Sequence, residues 1–195
     1  MLSQVRPAIV STLLFTLLLG VGYPLVITGV AKLAFPFQAG GSLLKDSSGK
    51  VIGSALIAQG FAKPQYLHPR PSAAGMGYDA SASSGSNYGP LNADLIKRVK
   101  GDADALRKDT GHSQVPDDAV TTSGSGLDPD ISPLYAQLQA SRIARARGVP
   151  ASAVQKIVSD HVQGQVLGFI GQPRVNVLQT NLALDEAFAK SHPKG

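Results

Sequence analysis

Two glycine–serine loops hold the residues best placed to do chemistry. The first is Ser84-Gly85-Ser86-Asn87, ahead of Pro90. The second is Ser123-Gly124-Ser125-Gly126-Leu127-Asp128-Pro129, ahead of Ser132-Pro133. Glycine lets a backbone turn several N–H groups toward one point, and a helix start attracts negative charge. Such loops suit a phosphate, a carboxylate or the backbone of another protein. Ordinary turn chemistry, with Ser and Asp satisfying nearby N–H groups, accounts for the same residues. A membrane-tethered hydrolase using Ser123 or Ser125 is the alternative from the enzyme class, and Ser123, His161 and Asp128 are a triple that could converge for it. No G-x-S-x-G pentad supports it. His68, His112, His161 and His192 lack ligand spacing, and no H-E-x-x-H is present, so no metal site is expected. A P-loop is missing too. The chain has no Cys, which removes disulfides and thiolate chemistry. Arg142, Arg145 and Arg147 could grip phosphate, but read more simply as a solvated helix end where cations suit the dipole.

These loops need elements to position them. From Pro7 to Ala31 no residue is charged, and Leu, Val, Ile and Phe dominate. A helix of that length spans about 37 Å, against a hydrocarbon core of ~30 Å. The apolar part of a cleaved signal peptide is shorter, and no cleavage site is evident after this one, so a permanent anchor is predicted. Ala8, Thr12, Thr16 and Gly20 recur every four residues and give the helix one small face, of the kind through which helices associate in lipid. Gly20, Gly22 and Pro24 permit a kink. Lys and Arg total 18 against 13 acidic residues; away from the flanking Arg6 and Lys32 the excess is too small to indicate nucleic acid. Positive charge is balanced across the helix (the amino terminus and Arg6 against Lys32 and Lys45) and does not fix its orientation.

The rest reads as a small mixed α/β domain. Two domains are expected: 1–34 with the single transmembrane helix, and 35–195 as the soluble part. Leu43-Leu44 and the run from Val51, joined by a turn-rich hexad, predict a β-hairpin. Phe61–Ser72, with Pro64, Pro69 and Pro71, should be irregular. Residues 72–90 are either a linker or a functional loop. Pro90 suits a first helical position, with Leu91, Leu95 and Val99 as a stripe, and Asp102–Pro116 reads as exposed. Ser132 should cap a helix that has Pro133 first, Leu134 and Leu138 inward, and Gly148 at its end. Val154, Ile157, Val158 and Val162 mark another helix. Val166–Ile170 and Arg174–Leu178 read as strands, and Asn181–Lys190 as a terminal helix packed through Leu182, Leu184 and Phe188.

Taken together, the motifs resemble a known family, the C subunit of the bacterial Kdp potassium-transporting ATPase. The matching pieces are Arg70-Pro71-Ser72-Ala73, Ser84-Gly85-Ser86-Asn87 with Gly89-Pro90 and Asn92, and Val115-Pro116 with Asp118. The longest runs from Val120-Thr121 through Ser123–Pro129 to Ile131-Ser132-Pro133, and Arg174–Leu178 and Asn181–Asp185 follow. One departure is Asp130, where many relatives are expected to have His, so no role is carried over to it. The resemblance implies a non-catalytic subunit beside a P-type ATPase subunit, a potassium-channel-like subunit and a very small subunit. It implies a catalytic chaperone that raises the ATP affinity of the pump subunit and stabilises assembly. The chain lacks the Asp-Lys-Thr-Gly-Thr motif of P-type pumps, in keeping with that. No tightly bound cofactor is expected; ATP would act through the pump subunit. The implied place is the bacterial inner (plasma) membrane, with membrane lipid around one helix and the soluble domain in the periplasm. Ser84, Gly85, Ser86, Asn87, Ser123, Gly124, Ser125, Gly126 and Asp128 are the expected nucleotide or partner contacts.

Overall fold

The computed structural model describes residues 2–46 and 48–188. Ser47 of the predicted hairpin turn, the last two residues of the predicted terminal helix and His192 lie outside the described residues. The chain divides into two compact units, one ending at Ser54 and one starting at Ala55.

The first unit is dominated by one long apolar helix. α1 (Val5–Leu17), a π-helical turn (Leu18–Gly22) and α2 (Tyr23–Ala34) follow one another without a break. Together they form 30 helical residues of mean hydropathy 2.1, none buried inside the protein, long and apolar enough to cross a membrane. The irregularity predicted near Pro24 takes the form of the π-helical turn: Tyr23 N–H reaches back five residues to Leu18 O. Pro24 has no N–H to offer the carbonyl four residues before it, and a widened turn relieves the crowding its ring creates. One helical turn, α3 (Pro36–Ala39), precedes the predicted hairpin. In it β1 (Leu43–Lys45) pairs antiparallel with β2 (Val51–Ser54), with a register irregularity between Leu44 and Lys45. Asp46 Oδ1 accepts from Ser48 N–H at 2.9 Å and Lys50 N–H at 3.1 Å, which closes the turn.

Among the described residues, the second unit packs five α-helices and a three-stranded sheet. α4 (Ala93–Thr110) starts later than Pro90 and ends later than predicted. Asn92 is its cap, accepting from Asp94 and Leu95 N–H, so Pro90 and the 91%-exposed Leu91 lie outside the helix. The polar stretch after Asp102 stays helical because Ala103, Leu106 and Val99 pack on the core along one face. Gly111, at φ +74°, ends it.

α5 (Pro133–Leu138) opens as predicted, with Ser132 Oγ accepting from Tyr135 N–H. Its inward face is Tyr135 and Ala136, continued by Gln139 and Ala140, whereas Leu134 is exposed. The predicted single helix is interrupted at Gln139, and α6 (Ala140–Arg147) continues to Gly148 at φ +65°. α7 (Ala151–Asp160) buries Val154 and Val158, and Val162 falls in the next strand rather than on that helix. The sheet has β5 (Arg174–Asn176) in the centre, antiparallel to both β3 (Asp130–Ile131) and β4 (Val162–Gln163). α8 (Val177–Phe188) begins four residues earlier than predicted. Asn176 Oδ1 accepts from Gln179 N–H and starts the helix where the strand reading had continued to Leu178. Val166–Ile170 is not a strand but a tight turn closed by a single bridge between its ends. Leu67, Ile143, Val154, Val158, Val175 and Leu184 are fully enclosed at the centre of the core.

Side chains fix the proline-rich segment. Gln139 accepts from His68 N–H at 2.8 Å and donates to His68 O at 3.1 Å. Asn181 does the same to Leu67, at 2.7 and 3.0 Å. Two amides thereby replace the neighbouring strands that this segment lacks. The expectation that the arginines are solvated holds for Arg145 only. Arg142 donates to Pro64 O and Tyr66 O, and Arg147 to Gln65 O, Leu184 O and Asp185. The Arg147 guanidinium also lies 5.2 Å from the centre of the Tyr66 ring. Both side chains turn inward because the carbonyls at positions 64–66 have no ladder partner in the sheet and are matched by planar guanidinium donors.

Candidate functional site

The two Gly–Ser loops meet. Ser84 N–H and Ser83 Oγ both donate to Ser125 O, at 3.0 and 2.9 Å, and Thr122 Oγ1 donates to Ser86 Oγ at 3.2 Å. Gly85 makes the close approach possible: a Cβ there would sit 3.2 Å from Gly124 O. Ser72 Oγ donates to Gly126 O at 2.6 Å and accepts from Ala74 and Tyr78 N–H. Residues 72–90 are therefore not a free linker; they wrap the second loop.

Arg70 completes the junction. Its Nη1 pairs with Asp128 Oδ2 at 3.0 Å, and Nε and Nη2 donate to Thr121 O and Thr122 O. The other oxygen of Asp128 accepts from Asp130 N–H at 3.1 Å. Asp130 in turn pairs with Arg174 at 3.0 Å and accepts from Asn176 Nδ2 at 3.1 Å. Burial pushes the Asp130 carboxyl up, with neighbouring Asp128 adding to the rise and Asn176 and Arg174 opposing it. Asp118 accepts from Ser132 N–H and Oγ, at 2.6 and 3.0 Å. Arg70, Asp118, Asp128, Asp130 and Arg174, together with Asp117 and Leu134, border a cleft of about 730 Å³.

The hydroxyls are engaged in the loops themselves. Ser123 Oγ lies 3.3 Å from Ser125 Oγ, and Ser125 Oγ accepts from Leu127 N–H. Ser84 Oγ donates to Gly85 O. His161 Nδ1 is 2.8 Å from Ile157 O, and both oxygens of Asp128 are taken. Ser123, His161 and Asp128 thus make no nucleophile–base–acid chain of hydrogen bonds. Asn87, at φ +53°, shapes the first loop through its backbone. Among the described residues no group of three His, Cys, Asp or Glu side chains could hold a metal ion.

Sequence reasoning missed Arg98. It reaches Asp102 Oδ2 and Val120 O through Nη1, while Nε and Nη2 are buried without a partner among the described residues. With Ser86, Tyr88 and Thr122 it borders a second depression of about 520 Å³. Standing between Lys97 and Lys100, it carried no distinguishing mark in the sequence. On the apolar helix, Gly20 and Thr16 sit on one side, since a Cβ on Gly20 would be 4.0 Å from Thr16 Cγ2. Ala8 and Thr12, with Ile9 and Leu13, form a shallow depression one to two turns earlier.

What can this arrangement do? Its polar groups are largely spent on holding three segments together, and they present a mixed-charge surface. A family model described as K+-transporting ATPase, c chain, matches residues 5–186. The potassium-transporting ATPase KdpC subunit of Caulobacter sp. (strain K31) is 65% identical over 195 residues, covering 100% of both chains. The same subunit of Caulobacter vibrioides (strain NA1000 / CB15N) is 64% identical over 188 residues, 96% of this chain and 95% of the relative. That of Beijerinckia indica subsp. indica is 57% identical over 195 residues, 99% of this chain and 98% of the relative. On a match that takes in the long apolar helix and both glycine–serine loops, the chain belongs to the family of K+-transporting ATPase C chains.

Proposed function

We propose that this chain is a non-catalytic subunit that holds a potassium-importing ATPase together and raises the ATP affinity of its pump subunit. The observation that carries the reading is the 30-residue apolar helix with no side chain buried, in a chain of this family. Its partners are a P-type ATPase subunit, a potassium-channel-like subunit and a small subunit, in the bacterial inner membrane with lipid around the single helix. The loop junction of Ser84–Asn87 with Ser123–Asp128 is a contact surface for those partners. ATP stays on the pump subunit. Any influence on it is a coupling free energy carried through packed helices.

Two experiments test this. Reconstituted with the chain, the pump subunits are expected to show a KM for ATP several-fold lower than without it, since a tenfold change corresponds to about 1.4 kcal/mol of coupling. An unchanged KM removes the chaperone role. The second concerns sidedness, which we assign to the periplasm. The chain has no Cys and Ser113 is exposed, so Ser113→Cys provides a single label site. A membrane-impermeant maleimide should label it in intact spheroplasts. Labelling only after lysis places the domain in the cytoplasm.

A further inference from the structure

β4 and β5 form a hairpin whose tip departs from the fold's usual economy. Val166, Leu167, Phe169 and Ile170 are 55%, 79%, 73% and 50% exposed. Single exposed apolar residues are ordinary, but four within five residues make a contiguous patch, which marks an interaction site. The tip is rigid. Val166 N–H donates to Ile170 O at 2.9 Å and Ile170 N–H to Val166 O at 3.0 Å, while Gln165 Nε2 donates to Gly171 O at 2.8 Å. Gly168 and Gly171 supply positive φ for the turn, but Leu167 also sits at φ +53°. A branched residue at positive φ is strained, and such strain persists where the surroundings over-determine it and function uses it. Here it directs Leu167 outward, away from the core.

We infer that the Val166–Ile170 turn is a preformed apolar knob that enters an uncharged, apolar pocket on another subunit of the ATPase. This rests on the reading of the chain as a pump subunit and deepens it. Charge complementarity selects the occupant. No residue from Val162 to Pro173 is charged, and the next one, Arg174, is paired with Asp130. The core of a protein interface is depleted of charge and enriched in Phe, as this tip is. A lipid-seeking loop would carry Lys or Arg and Trp or Tyr at the headgroup level, and this segment has none of them. Rigidity also favours a pocket of fixed shape, because a pre-ordered loop loses little freedom on docking. The knob is continuous with the cleft already described, through Gln172, Pro173 and Arg174 on its border.

The test uses the full chain co-expressed with the other subunits. A photoreactive benzoylphenylalanine in place of Phe169 should give an adduct with a protein subunit on irradiation of intact membranes. Adducts to lipid alone, or none, overturn the inference. In parallel, Leu167→Gly with Phe169→Ser removes the knob while relieving the positive φ. Recovery of the other subunits should fall at least tenfold with the unfolding midpoint of the chain no lower than that of the wild type. Undiminished recovery by this double variant, with normal wild-type recovery, overturns the knob alone. Absence of wild-type recovery removes the pump-subunit reading and the knob with it.

Discussion

Gly126→Ala is expected to destabilise the globular unit by roughly 3 kcal/mol, from about 1–2 for a non-glycine residue at positive φ and about 1–3 for overpacking. Gly126 has φ +67°, and a Cβ there would lie 2.5 Å from Ser84 O and 2.7 Å from Ala74 N. Both are backbone atoms, so neither can swing aside as a flexible side chain would. Ser84 belongs to the strand of contacts tied to Ser125, and Ala74 to the turn held by Ser72. The substitution therefore pries apart three segments at once. Gly124→Ala is the matched control: no atom lies within 4 Å of a Cβ there and its φ is not positive. Denaturant unfolding of the full chain in mild detergent checks the pair. A midpoint for Gly126→Ala equal to that of Gly124→Ala would show that the junction yields easily.

Thr16→Leu with Gly20→Leu should insert normally yet lower recovery of the partner subunits by an order of magnitude. Leu is favourable at membrane depth, so insertion is preserved. Lipid tails give helices no hydrophobic reason to associate, so close backbone approach and dispersion must supply the attraction. Two Leu side chains on the Ala8, Thr12, Thr16 and Gly20 face would hold a partner helix off. Gly20 lies within the π-helical turn, so the bulk is added where the helix is already irregular. Leu14→Ala with Leu18→Ala is the comparison on another face. The readout is partner subunit recovered per inserted chain. Equal recovery by the two double variants would make the small face incidental and leave association to the soluble part.

The long helix, the hairpin at Leu43 and Val51, the Ser132 cap and the Gly148 stop were legible because each is local chemistry. What failed was mostly phase and extent. Leu134 reads as inward by residue type, but the buried face belongs to Tyr135, Ala136 and Gln139, because Gln139 has to meet the His68 backbone. That requirement comes from 71 residues away and leaves no periodic mark. The same holds for Arg142 and Arg147, which look like helix-end cations until the proline-rich segment is laid beside them. Helix α4 outran its predicted end because a few small and apolar residues, Ala103 and Leu106, suffice to bury one face of a polar sequence. At the site, the two glycine–serine loops were visible as motifs. Their contact was not, since it depends on the absence of side chains at Gly85 and Gly126 and on Arg70 from a third segment.

The central claim is that this chain works as a bound subunit and not alone. An affinity-tagged full chain, expressed with the other genes of its complex and extracted in mild detergent, tests it directly. The P-type ATPase and potassium-channel-like subunits should co-purify in fixed ratio, with potassium-stimulated ATPase activity in the eluate. Recovery of the tagged chain by itself, while those subunits remain folded in the same extract, would contradict it.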